Sequence, residues 1–166
     1  MSSKTRKVVI ASMLAALVCV ATMIIKIQLT PNGYINLGDG VVILSGWILG
    51  PLYGFLAAGI GSALADMFSG YAFYIPATFL IKGAMAVVGY YVIRFLKGKL
   101  SVIKCSVIAA ILAELVMVVG YYLFEGAFYG FDVALLSMPG NAIQSVAGIV
   151  TGTLLIQLFD KSGISV

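Results

Sequence analysis

The basic residues of this chain stand at the ends of long apolar runs. Lys4, Arg6 and Lys7 precede the first run, Arg94, Lys97, Lys99 and Lys104 lie between two later ones, and Lys161 follows the last; only Lys26 and Lys82 fall elsewhere. Of the 166 residues 62% are hydrophobic and 10% charged, against about 25% charged in a soluble domain. A chain so poor in charge, with its cations grouped beside the runs, reads as an integral membrane protein obeying the positive-inside pattern. The net charge of +4 is therefore accounted for without a nucleic-acid partner.

A helix needs about 20 apolar residues to cross the hydrocarbon core. The runs give spans at about 8–27, 37–49, 52–68, 75–96, 102–124 and 139–159. The expected fold is thus all-α, a compact bundle of six transmembrane helices making one domain over residues 1–166, with both termini and the basic 94–104 segment on the cytoplasmic side. The first run follows three cations as a signal peptide would, but its near-spanning length and the runs after it mark it as a retained span.

Turns are expected at Gln28–Gly33, where Pro31, Asn32 and Gly33 would be costly in lipid, and at Gly50-Pro51, a tight connection without charges. Asp66–Tyr74 reads as a second outer loop and Glu125–Met138 as the longest connection. Pro139 suits the first turn of the last helix. In this topology Asp39, Asp66, Glu125 and Asp132 fall at the outer side, together with many of the aromatics, Tyr34 included. An interfacial belt explains part of that excess; an outward-facing pocket explains the rest.

Catalysis and metal binding find no support. The chain has no His and two cysteines, Cys19 and Cys105, so neither a zinc site nor a disulfide framework is indicated. No catalytic constellation and no phosphate-binding GxxxxGK[ST] loop is present, so ATP hydrolysis would reside elsewhere and no cofactor is expected. What remains is a set of isolated polar residues in apolar surroundings, each costing about 2.5–3.5 kcal/mol at a helix centre if charged. Asn36 and Asp39 stand where the first outer loop enters the second helix, Lys82 two turns into the fourth, Glu114 mid-fifth, and Asn141 and Gln144 three residues apart at the start of the sixth. With Tyr74 and Tyr121 as aromatic walls, they form a candidate site for a small polar ring compound.

Each has a structural alternative. Asp39 would cap the second helix, Lys82 and Glu114 would form an ion pair, and Asn141 would cap the sixth helix after Pro139. Lys26 would snorkel to the interface, and Glu125 and Asp132 would be solvated loop charges. In the first helix Ala11 and Ala15, and Ser12 and Ala16, recur at four-residue spacing, a flat stripe suited to close helix approach inside the bundle or to docking on another membrane subunit.

The stretch YINLGDGVVILSGWILGPLYGFLAAGIGSALADMFSGY, followed by YIPATFLIKG, resembles the membrane-embedded substrate-binding S components of energy-coupling factor (ECF) vitamin transporters, in the branch for riboflavin, hydroxymethylpyrimidine and pyridoxine. The resemblance is carried by N-L-G-D, G-P-L-x-G, G-S-A-L-A-D and P-A-T-F-L-I-K-G in order; beyond them it is one of layout. It implies a six-helix bundle in the cell membrane of a bacterium that binds a vitamin near the outer face. It also implies partners: a membrane coupling subunit bearing two ATPases, onto which the loaded bundle topples. The family's AxxxA docking motif falls on Ala11 and Ala15, with Ala16 adjacent. Family sites draw on the first outer loop and helices four to six, hence on Asn36, Asp39, Tyr74, Lys82, Glu114, Tyr121, Asn141 and Gln144. For substrate, pyridoxine and hydroxymethylpyrimidine rank together ahead of riboflavin. The competing readings are a stand-alone facilitator or channel, and a membrane assembly protein without ligand.

Overall fold

The computed structural model describes residues 3–24, 26–30 and 33–163. Helix α1 covers Ser3–Ile24, strands β1 and β2 cover Lys26–Thr30 and Gly33–Asn36, and four more helices follow: α2 Gly38–Phe68, α3 Ile75–Leu96, α4 Val102–Tyr129 and α5 Phe131–Lys161. Among the described residues, these five helices are long and apolar enough to cross a membrane.

The first departure from the expected all-α chain is the hairpin. α1 stops at Ile24 rather than Ile27, and Lys26, Ile27 and Gln28 pair antiparallel with Asn36, Ile35 and Tyr34. The alternation of Lys26, Gln28 and Thr30 with Ile27 and Leu29 suits a strand, and the ladder satisfies backbone groups that an irregular loop would leave to lipid. Pro31 and Asn32, on which the turn was placed, lie outside the described residues, as does the side chain of Tyr34.

α2 is helical at both ends but not throughout. Gly50 has φ 79° and ψ −175°, a conformation open only to glycine at low cost, and Pro51 follows where a new helix would begin. The chain reverses there. A Cβ on Gly54 would lie 2.7 Å from the Cα of Gly46, two residues that a continuous helix would hold about 12 Å apart. Both ends of α2 also meet the same end of α1, since Gly38 packs on Thr22 while Lys26 donates to the Ser69 hydroxyl. α2 is thus a helical hairpin with arms 38–49 and 51–68, about 18 and 27 Å long at 1.5 Å per residue.

The connection expected over Glu125–Met138 is a correction. α4 runs on to Tyr129 and α5 begins at Phe131, leaving Gly130 alone between them at φ 93°. The reversal is tight because the Phe131 ring lies over Gly126, whose Cβ would meet it at 2.4 Å. Pro139 sits inside α5, eight residues past its start. It removes one backbone bond, a loss that neighbouring helices in a bundle make tolerable.

Small residues set the helix separations. The first arm of α2 lies on α3 where a Cβ on Gly46 would stand 2.1 Å from the Ala86 carbonyl oxygen, and the second arm lies on α1 where one on Gly61 would stand 2.4 Å from the Ala15 carbonyl oxygen. Between them Val18, Val42, Ile43, Leu44, Met85, Met117 and Ile156 fill the core. The first arm of α2 is consequently enclosed by its neighbours, and whatever polar side chains it carries are held away from lipid.

Candidate functional site

The first arm of α2 carries its one charged side chain, Asp39, at its start, beside the β-hairpin. Asn36, the last residue of β2, accepts the Gly38 N–H at its Oδ1 (2.9 Å), so Asn36 serves the helix start that Asp39 was expected to cap. Asp39 instead points into the bundle. Its Oδ1 is bonded by the Lys82 ammonium of α3 and its Oδ2 by the Gln144 amide of α5. Gln144 then accepts the Asn36 amide at its Oε1, 3.3 Å away. Each link uses an atom the others leave free, and β2, α2, α3 and α5 are tied through one carboxylate that is 1% exposed.

The ion pair expected between Lys82 and Glu114 is replaced by Lys82 with Asp39. Lys82 is 3% exposed, and its ammonium also sits 5.6 Å from the centroid of the Tyr121 ring. Tyr121 shares a hydrogen bond of 2.9 Å with Thr78, one turn before Lys82 on α3. The Tyr74 ring lies 6.4 Å from that of Tyr121, and its hydroxyl donates to Glu125 Oε1 at 3.3 Å. Of the two expected aromatic walls, Tyr121 stands beside the charged pair, and Tyr74, just before α3, packs on Tyr121 and reaches Glu125 of α4. Glu125 itself, read as a solvated loop charge, is buried, because α4 continues through it. Asp132 is exposed in the first turn of α5.

Glu114 lies beside Asp39 but outside the network. A Cβ on Gly148 would fall 1.9 Å from Glu114 Oε1 and 3.0 Å from the Asp39 Cβ, so the carboxyl occupies the space over that glycine. The residue is 2% exposed, and neither of its oxygens has a hydrogen-bond partner. Asn141, half-buried, is in mid-helix rather than at a helix start, which removes the capping role; its carbonyl accepts the Ser145 hydroxyl at 2.8 Å. Lys26 bonds Ser69 where snorkelling was expected. Among the described residues no cluster of acidic, His or Cys side chains could hold a metal.

Thr78 and Gly148 belong to this region and were not singled out from sequence, and Glu125 was read only as a loop charge. Glu114, Tyr121 and Glu125 are spaced by seven and four residues, a single helix face, and that spacing was the available signal. Gly148 follows Gln144 by four residues and shares its face in the same way.

The small-residue stripe of α1 divides. Ala15 is 8% exposed and packs on Gly61, Ala11 is half-buried, and Ser12 and Ala16 are exposed. Ala15 is therefore occupied within the bundle, and of the stripe Ser12 and Ala16 lie on the exposed face of α1.

A family model described as ECF-type riboflavin transporter, S component, matches residues 2–161. A protein of Pyrococcus woesei described only as uncharacterized, in a gap 3′ region, is 36% identical over 137 residues, covering 81% of this chain and 88% of its own length. A solved structure titled as the S component of a bacterial ECF transporter superposes with a TM-score of 0.70 over 96% of this chain and 98% of that one, at 23% identity. At that identity the likeness bears on the fold alone.

Proposed function

The chain belongs to the family of ECF-type riboflavin transporter S components, and on that footing we propose that its buried polar network is where a small water-soluble vitamin is held. S components are the substrate-binding subunits of their transporters. The observation that supports the placement is the convergence of Asn36, Asp39, Lys82, Glu114 and Gln144, all buried, from β2, α2, α3, α4 and α5. Burying so many polar groups in lipid is expensive, and the aromatic rings of Tyr74 and Tyr121 beside them supply the stacking surface a ring compound needs.

In this reading the two arms of α2 run in opposite directions through the bilayer, the short first arm enclosed by the other helices rather than spanning the hydrocarbon core alone, which gives six passages with both termini and the 94–104 loop in the cytoplasm of the cell. The basic groups at Lys4–Lys7, Arg94–Lys104 and Lys161 then share the cytoplasmic side, as the positive-inside rule requires. The β-hairpin and the network lie towards the outer face. Loaded subunit meets a membrane coupling protein, and ATP hydrolysis takes place in further subunits. The family's description puts riboflavin at the head of the ligands to test, followed by pyridoxine and hydroxymethylpyrimidine.

The test is a thermal-shift panel on the detergent-purified chain with these three, thiamine, pantothenate and unrelated solutes. A ligand confined to the folded state adds about 2.7 kcal/mol of apparent stability at a hundredfold excess over Kd. One vitamin is expected to shift the transition selectively; a flat response across the panel removes the reading. Transport by this chain alone in vesicles would instead identify a stand-alone facilitator.

The exposed edge of α1 carries the docking half of the proposal. Replacing Ser12 and Ala16 together by Leu fills the flat strip on which a partner helix could approach closely, and neither side chain is enclosed in the bundle. Uptake by cells is expected to fall at least tenfold while vitamin binding by the purified chain is unchanged. Normal uptake by this double variant excludes the edge as a docking surface.

A further inference from the structure

Glu114 is the side chain whose placement the network does not explain. Asp39 has both carboxylate oxygens engaged, by Lys82 and Gln144, and Asn36 and Gln144 are bonded to each other and to their neighbours. Glu114, at the same depth and against Asp39 across Gly148, engages neither oxygen. A buried polar group without a partner is costly, and a carboxylate without one more so. The charge balance around it points the same way. The charged groups that face Glu114 are Asp39 and Lys82, and Lys82 is already committed to Asp39.

We infer that Glu114 is the anchor for the ligand, an acceptor that receives N–H or O–H donors from a molecule bearing no negative charge, so that the site takes free vitamins and rejects their phosphate esters. The inference rests on the binding reading given above and adds the chemistry of selection. A ligand that brings donors satisfies both Glu114 oxygens. An anion finds Lys82, the cation that faces Glu114, already committed to Asp39, and meets the Asp39 carboxylate in a region of weak screening, where like charges repel strongly. Gly148 is the complementary half of the arrangement, since the absence of a side chain there is what lets the carboxyl lie against α5.

The experiment measures binding of riboflavin, pyridoxine and hydroxymethylpyrimidine, and of the phosphate monoester of each, to the purified wild-type chain and to Glu114→Gln. Thermal stability of both proteins without ligand is recorded in parallel. For the vitamin that wild type binds, Glu114→Gln is expected to weaken affinity at least tenfold while leaving the ligand-free transition unchanged or raised, because the amide keeps the shape of the side chain and an oxygen acceptor in place of a buried acid. Wild type is expected to prefer the free vitamin over its phosphate ester by at least tenfold, a comparison that needs no variant to fold. Unchanged affinity in Glu114→Gln, a ligand-free transition that falls with the substitution, or equal affinity for the ester overturns the inference while the binding reading stands. Failure of wild type to bind any of the three vitamins takes down both.

Discussion

Replacing Lys82 by Met should cost the folded chain about 3–5 kcal/mol, the usual penalty for stranding one member of a buried ion pair. The methionine keeps the length and most of the volume of the lysine stem, so the loss is electrostatic rather than a cavity. Asp39, 1% exposed, would keep the Gln144 amide as its remaining side-chain partner. The loss should appear as a lowered unfolding midpoint in detergent. Trp47, the only tryptophan and part of the first arm of α2, supplies a fluorescence signal from the arm that carries Asp39.

The companion variant separates stability from binding. Converting Asp39 to Asn in the Lys82→Met background removes the stranded charge, and replacing both members of a buried pair is often neutral for stability. The double variant should therefore recover to within about 1 kcal/mol of wild type while vitamin affinity stays at least tenfold down, about 1.4 kcal/mol. If affinity returns together with stability, the pair is a structural clasp between α2 and α3 and takes no part in holding ligand. If the single variant unfolds at the wild-type midpoint, the pair contributes nothing measurable and the account of the network fails.

The chain announces its crossings because lipid permits only long apolar helices, and the charges that flank them cannot be placed elsewhere. It announces the Gly50-Pro51 break as well, since that dipeptide has no other use inside an apolar run. It does not announce where α4 ends. Residues 125–138 are rich in aromatics and carry two acids, the composition of an interfacial loop, yet one glycine with φ 93° suffices to turn the chain. Glu125 is then carried into the bundle, where Tyr74 donates to it. Pro139 misleads for a related reason, because tertiary contacts hold a helix through a residue that would end it in isolation.

The pairing of charges was hidden at a different level. Asp39 and Glu114 both lie within reach of the space around α5, and nothing in their sequence separation from Lys82 favours one over the other. The choice is made by helix rotation. Gly46 and Gly54 bring the first arm of α2 against α3 and the second arm, which turns Asp39 towards Lys82 and leaves Glu114 over Gly148. The same rotation decides which half of the α1 stripe is covered, since Ala15 is drawn onto Gly61. Spacing identified both candidate pairs of small residues in α1; contact with α2 distinguished them.

Gly46→Ala tests whether that close approach sets the site. A glycine replaced by alanine in a helix ordinarily gains about 1 kcal/mol from propensity alone, and Gly140→Ala should show a gain of that sign, because a Cβ there meets nothing within 4 Å. At Gly46 the same methyl would lie 2.1 Å from the Ala86 carbonyl oxygen and 2.8 Å from its carbon. Backbone cannot swing aside as a flexible side chain does, so α2 and α3 must part. Overpacking of this kind costs about 1–3 kcal/mol, and more where backbone has to move. The displaced seam is the one that carries the charged pair: Asp39 lies two turns before Gly46 on the same face of α2, and Lys82 one turn before Ala86 on α3. Gly46→Ala should therefore lower the unfolding midpoint and weaken vitamin binding at least tenfold although no ligand-contacting group has changed, while Gly140→Ala binds as wild type does. Equal behaviour of the two variants would mean that the helices tolerate separation and that the glycine contact does not fix the geometry of Asp39 and Lys82.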